Sequence, residues 1–254
     1  LDVIRLQPDR ILDLGSGSGS AARQLARRYR RVGVLQLDIA HGMLSLARQR
    51  SWRWFSRQHY IQADALALPL APACVDLAFS SLMLQWLDDP QTVFGELRRC
   101  LRPGGLVHFA SFGPDTLQEL RTSWSQVDES PHVSPFIDMH NLGDALVQAG
   151  FADPVMETDY FHLTYRDCYA LMHELQQLGA QNALAGRRRT LTGRRRLQAM
   201  VDAYEQFRGD DGRLPATFEV VFGHAWVPQQ PQQSYDPDSG EVHVPLSSLK
   251  GGGR

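Results

Sequence analysis

The stretch that most limits what this chain can become is residues 10–20, "RILDLGSGSGS", an apolar strand-like run that ends in three glycines spaced two apart. Gly15, Gly17 and Gly19 allow the sharp strand-to-helix turn and the close ligand approach that such a loop provides. The dinucleotide fingerprint G-x-G-x-x-G needs a glycine at position 20, and Ser20 stands there. That fingerprint seats a pyrophosphate on the helix N-terminus. Here Asp13, two residues ahead of the first glycine, suits a ligand with an ammonium group and no phosphate.

The rest of the chain repeats the same rhythm. Apolar runs alternate with helical patterns through residues 10–150, as β-α-β units require. Strands are predicted at 10–14, 31–38 ("RVGVLQLD"), 59–64 ("HYIQAD"), 74–81 ("CVDLAFSS") and 106–112 ("LVHFASF"), with helices at 19–30, 41–50 and 91–101. "RPGG" (102–105) reads as the break before the fifth strand. The pattern predicts a doubly wound, mostly parallel α/β sheet. Further on, helices are predicted at 115–127 and 139–149, an extended stretch at 153–165 and a last strand at 216–227. The helical, arginine-rich residues between these two strands have the size of a cap or substrate platform. One domain is expected over residues 1–227, with a helical cap insertion at about 165–210 and a Pro/Gln-rich tail at 228–254.

Composition excludes several classes. The 254 residues are 43% hydrophobic and 21% charged, ordinary for a soluble globular protein, and the net charge of −2 gives no pull toward nucleic acid or membrane. Cys74, Cys100 and Cys168 lie far apart without metal-ligand spacing, so neither a metal site nor a disulfide scaffold is expected. No apolar stretch is long enough to span a membrane, and no signal peptide is visible, which makes a cytoplasmic location the expectation. The sequence opens on Leu1, so a preceding segment is expected to be missing.

Two further acids sharpen the ligand. Asp38 closes the second strand, where a carboxylate can accept both ribose hydroxyls, and Asp64 closes the third, where one can receive the exocyclic amine of adenine. Each could instead cap a helix or turn. Glycine loop, two strand-end acids and "LRPGG" in this order resemble the class I S-adenosylmethionine-dependent methyltransferases over residues 10–112. The resemblance implies a Rossmann-like seven-stranded sheet in the order 3-2-1-4-5-7-6, strand seven antiparallel, and S-adenosylmethionine as the cofactor. Its expected contacts are Asp13, Gly15, Ser16, Gly17, Gly19, Asp38, Met43, Asp64, Ala65 and Ser81, and the product is S-adenosylhomocysteine.

The loop after strand four, "SSLMLQWLDDP" (80–90), is apolar with one amide and one indole, and no amine-binding motif, metal cluster or His/Glu dyad accompanies it. Such a pocket suits an acceptor that is already an anion, as a carboxylate of pKa about 4 is at neutral pH. "SSLMLQW", "FGPDTLQEL" (112–120), "LQQLGAQN" (175–182), "LTGRRRLQAM" (191–200) and "GRLPATFEVVFGHAW" (212–226) resemble the malonyl-carrier-protein methyltransferases of biotin synthesis. The resemblance implies methylation of the free carboxyl of malonyl-acyl carrier protein, or malonyl-CoA, with Gln85 and Trp86 in the acceptor pocket. That family also has a helical segment ahead of its first strand that helps close the cofactor site; a catalytic aromatic there would fall outside these residues. "FGPDTLQELR", "SPHVSPF" and the last strand also resemble mitochondrial complex I assembly factors. That likeness implies modification of a protein arginine or a non-catalytic assembly role.

Individual residues keep two readings. Arg187, Arg188, Arg189, Arg194, Arg195 and Arg196 either form a solvated helix face or dock the acidic helix of a carrier protein. Trp86 is either pocket or core. Phe112 is similarly open, Thr116 and Glu119 have the spacing of a capping box, and Tyr165 and Tyr169 stand where they could reach an acceptor. His132 and His140 flank "VSPFIDM" and read as surface or internally satisfied residues.

Overall fold

The computed structural model describes residues 6–51, 57–87, 89–177, 193–229, 234–235 and 242–243. Seven strands, β1 (Arg10–Leu14), β2 (Gly33–Asp38), β3 (Arg57–Gln62), β4 (Val75–Ser81), β5 (Leu101–Phe112), β6 (Ala152–Tyr165) and β7 (Leu214–Trp226), form one sheet in the order β3-β2-β1-β4-β5-β7-β6. Strands β1 to β5 pair in parallel. β7 runs the other way, since Val227 donates to the Gly105 carbonyl and Gly113 to that of Glu219. The expected order and the antiparallel seventh strand are both present.

Parallel strands covered on both faces lose the alternation of a half-exposed strand, and Ile11, Leu12 and Leu14 are all fully buried. On one face Ile11, Val34, Leu77 and Leu106 pack with Ala22 and Leu25 of α1 (Ser20–Arg28). After β2 comes α2 (His41–Arg50), and between β4 and β5 runs α3 (Pro90–Cys100). Phe94 of α3 meets Phe109 with ring centroids 5.4 Å apart. The α3 helix starts where the sequence asks: Pro90 sits in its first turn and the Asp89 carboxylate accepts from the Thr92 N–H at 3.0 Å.

The chain divides into two compact units, one drawn from Leu1–Ala110, His140–Met156 and Gly223–Arg254, the other from Ser111–Met139 and Glu157–Phe222. The first unit also holds α5 (Met139–Gln148) except for its first residue. The second contains α4 (Gln118–Ser125), α6 (Cys168–Gln177) and α7 (Arg194–Tyr204), around a core that includes Trp124, Leu171, Met200, Tyr204 and Phe218. Residues 178–192, part of the expected insertion, lie outside the described residues, as does most of the tail. Among the described residues no helix is long and apolar enough to cross a membrane.

Three sequence expectations change. "RPGG" is not a break: β5 begins at Leu101 and runs through it, with Gly104 at φ 75° and a register slip between Val75 and Leu77 absorbing the irregularity. Thr116 and Glu119 form no capping box. Thr116 Oγ1 donates to the Glu219 carbonyl (2.9 Å), and Glu119 accepts from the Thr217 N–H (3.0 Å) and hydroxyl (2.5 Å), so both side chains tie the loop after β5 to β7. Tyr165 is core rather than acceptor-facing, and burial pushes its phenol up to about 12.

At the N-terminal edge of the sheet, buried Asp76 accepts from the Asp9 and Arg10 N–H groups (2.7 and 2.8 Å) and pairs with Arg102 Nε at 2.5 Å. Removing this carboxylate leaves two backbone donors without their acceptor. Asp76→Ala is therefore expected to destabilise the fold by about 2–3 kcal/mol and lower Tm by roughly 4–10 °C in a thermal melt, with cofactor affinity little changed.

Candidate active site

The glycine loop lies at the C-terminal ends of β1 and β4, where the winding of the sheet reverses and α/β proteins bind ligands. The Gly15 and Ser16 N–H groups both donate to the Leu37 carbonyl (2.8 and 3.1 Å), which folds the loop over the end of β2. Gly15 has φ 70°, and a Cβ there would collide with the Met83 side chain. Gly17, at φ 52°, is the open position: a Cβ would have only Met43 Cε nearby, at 3.6 Å. Gly19 is the residue before α1 and has no side chain to cap it; the Ala22 N–H of the first turn is taken by Asp13, which leaves the Ser20 and Ala21 N–H groups ahead of it without a capping side chain.

Asp13 lies on β1 between Gln36 of β2 and Phe79 of β4 and is 1% exposed. Burial pushes its carboxyl up to about 7, with the charge of Asp38 adding to the rise and the Ala22 N–H opposing it. Asp13 Oδ2 has no hydrogen-bond partner, and neither do the buried hydroxyls of Ser16 and Ser80. An unpartnered buried carboxylate oxygen is costly unless something cationic completes it. These residues therefore fit a ligand that brings an ammonium group.

Asp38 Oδ2 accepts from the Gly17 N–H and Oδ1 from the Ala40 N–H, both at 2.8 Å. The carboxylate thus latches the glycine loop while keeping lone pairs for further donors. Asp64 stands exposed after β3 and its Oδ1 accepts from the Leu66 N–H at 2.9 Å, so the turn-cap reading is realised and leaves room for a second role. Ala65 beside it is buried, while Met43 is exposed on α2. Ser81 is exposed at the end of β4; its neighbour Ser80 is the buried serine with an orphan hydroxyl. The sequence reading missed Ser80, and also Ile39, which is 68% exposed directly after Asp38. The available signal for Ile39 was an isoleucine directly after a strand-end acid.

After β4 the chain turns through Leu82, a non-glycine residue at φ 53°. Such strain gathers where function fixes the backbone. The short 3-10 helix Leu84–Trp86 follows. Gln85 Nε2 donates to the Leu82 carbonyl at 2.6 Å, while its buried Oε1 has no partner. Trp86 is 47% exposed, which excludes the core reading. Phe112 packs against Phe136 and Phe218 in the second unit. Tyr169 and His140 are exposed. His132 is satisfied internally, with Nε2 2.8 Å from Asp128 Oδ1. Arg194 and Arg195 are exposed on the first turn of α7 and Arg196 is half-buried; Arg187, Arg188 and Arg189 lie outside the described residues.

Sheet order, glycine loop and strand-end acids together define a class I S-adenosylmethionine-dependent methyltransferase. Residues 12–109 match the family described as a methyltransferase domain. The fold is similar to that of a putative methyltransferase from Bacillus halodurans C-125 (TM-score 0.61, 16% identity, 89% of this chain and 95% of that one). Two malonyl-[acyl-carrier protein] O-methyltransferases are much closer in sequence. That of Methylovorus sp. strain MP688 is 49% identical over 90% of this chain and 79% of its own length. That of Gallionella capsiferriformans strain ES-2 is 47% identical over 90% and 80%. The chain belongs to the malonyl-[acyl-carrier protein] O-methyltransferase family.

Proposed function

We propose that this chain methylates the free carboxyl of a malonyl group borne on an acyl carrier protein, or on coenzyme A as the smaller carrier. The observation that carries the reading is identity near one half with proteins of that name over nine-tenths of the chain. S-adenosylmethionine, when bound, supplies a methyl group on a sulfonium. Asp13 would hold its ammonium group and the Ser20 and Ala21 N–H groups at the start of α1 its carboxylate. Asp38 would accept from the ribose hydroxyls and Asp64 from the adenine amine, with Ile39 offering an apolar surface to the base. Gln85 and the exposed face of Trp86 would border the acceptor, the indole favouring a nearby cation.

No general base is required of this chain. A malonyl carboxyl, with pKa about 4, arrives ionised at neutral pH. What the protein contributes is alignment and water exclusion, worth about 7–11 kcal/mol when reacting groups are well oriented. The test is mass spectrometry of malonyl-acyl carrier protein incubated with enzyme and S-adenosylmethionine. One added methyl, removed by mild base, is expected. No added methyl while the cofactor still binds would overturn the acceptor and point to a protein substrate or an assembly role.

The carrier itself is expected on α7. Arg194, Arg195 and Arg196 fill its first turn, which holds no acidic residue. Cations there oppose the helix dipole, so an anionic partner would relieve a local cost. Reversing Arg194 and Arg195 to glutamate is expected to raise KM for malonyl-acyl carrier protein about tenfold at low salt. An equal rise for malonyl-N-acetylcysteamine would show that the arginines act on something other than the carrier.

A further inference from the structure

The second unit contains a cavity of about 520 Å³ whose lining includes none of the cofactor candidates. That volume lies within the usual range for a small-molecule pocket. Its walls come from the end of α4 and the irregular segment after it, chiefly Trp124, Ser125, Asp128, Ser130, His132 and Phe136. The His132 ring lies flat on Trp124, with centroids 3.6 Å apart and planes 9° apart, and its bond to Asp128 fixes it there. Arg121 is held by the Pro114 and Thr116 carbonyls (2.8 and 2.9 Å), each using one guanidinium nitrogen, so other N–H donors remain.

Fixed charge in the lining is mixed, Arg121 against Asp128 and Glu129, which disfavours a polyanion such as a phosphate. Ring faces and prolines offer apolar contact, while the serines, Arg121 and the exposed Glu129 offer both donors and acceptors. A neutral chain bearing amides and a branched apolar group matches this surface. Asp128 also reaches toward α7: its Oδ2 makes no hydrogen bond and has Arg196 Nη1 at 3.8 Å. The pocket rim is thus continuous with the cationic turn of α7.

We propose that this pocket receives the pantetheine arm on which the carrier presents its malonyl group. The inference rests on the carrier-protein reading above. Pantetheine carries two amides and a gem-dimethyl carbinol and, without its phosphate, no charge.

The enzyme is assayed with the malonyl thioesters of acyl carrier protein, of pantetheine and of N-acetylcysteamine, which keeps only the last amide of the arm. In the wild type, kcat/KM for the pantetheine thioester should exceed that for the N-acetylcysteamine thioester by about tenfold or more. Ser125→Trp, which places an indole at the pocket from the exposed end of α4, should bring that ratio close to one. If this variant does not melt cooperatively, Glu129→Trp on the exposed rim replaces it. Binding of free pantetheine, measured by calorimetry and lost in the variant, reads the pocket without turnover. Failure of the wild type to methylate malonyl-acyl carrier protein would overturn the proposed function. Methylation with the same ratio in wild type and variant, or unchanged pantetheine binding in the variant, would overturn the pocket assignment alone.

Discussion

Replacing Asp13 with asparagine is expected to weaken S-adenosylmethionine binding by roughly a hundredfold or more, because the ligand's ammonium loses a buried charged partner. The same change is expected to stabilise the free protein at pH 8. In the fold the Asp13 carboxyl titrates near 7 because it is buried, whereas its ordinary value is 3.8. Between those values the folded state holds a proton that the unfolded state has released. The group's favourable contribution is therefore complete below 3.8, shrinks as pH rises, and is gone above about 7. At pH 8 the free enzyme carries a buried anion with no cationic partner at a cost of up to about 4 kcal/mol, which asparagine removes. Thermal melts at pH 5 and pH 8 should show the variant gaining mainly at the higher pH.

Cofactor affinity should carry the mirror image of that titration. Binding an ammonium requires Asp13 ionised, so wild-type affinity should rise with pH up to about 7. It should fall again above roughly 8, where an α-amino group loses its proton. In Asp13→Asn the rising limb should vanish while the falling limb stays. A rising limb that persists in calorimetry of the variant would assign it to another group. The site is thus one where stability is traded for a ligand contact, which agrees with the orphan Oδ2.

How much of this was legible in the sequence follows from the range of each interaction. Strands β1, β2 and β4 are readable because burial on both faces writes them as near-continuous apolar runs, and Gly15 to Gly19 because one loop needs them locally. Thr116 and Glu119 misled because their partners, Glu219 and Thr217, lie about a hundred residues away, and local spacing cannot report them. "RPGG" misled because Gly104 and Pro103 can equally end a strand or bend one, and only the pairing of Gly104 with Val227 decides. His132 reads in the sequence as a surface or internally satisfied histidine, and it is satisfied; its stacking on Trp124 is not legible because it depends on how an irregular segment folds back on α4. Ser80 and Ser81 are adjacent and chemically identical, so which of them turns inward waited on the register of Leu14 with Ser80.

Asp38→Ala is expected to raise the Kd for S-adenosylmethionine on the order of a hundredfold to ten-thousandfold, since two hydroxyl bonds to a charged acceptor contribute roughly 1.5–3 kcal/mol each. The loss has a second source. Without the carboxylate the Gly17 and Ala40 N–H groups lose their acceptor, so the open glycine is no longer latched to the end of β2. Asp38→Asn separates the two effects, because an amide keeps one acceptor oxygen for Gly17 but carries no charge. If the latch dominates, asparagine should recover most of the affinity; if the ribose contact dominates, it should recover little. Removing the charge at 38 also removes one cause of the raised Asp13 carboxyl. The rising limb of the affinity profile should therefore move to lower pH in both variants, a shift no purely local ribose contact would produce. Unchanged affinity in Asp38→Ala would take this residue out of the site.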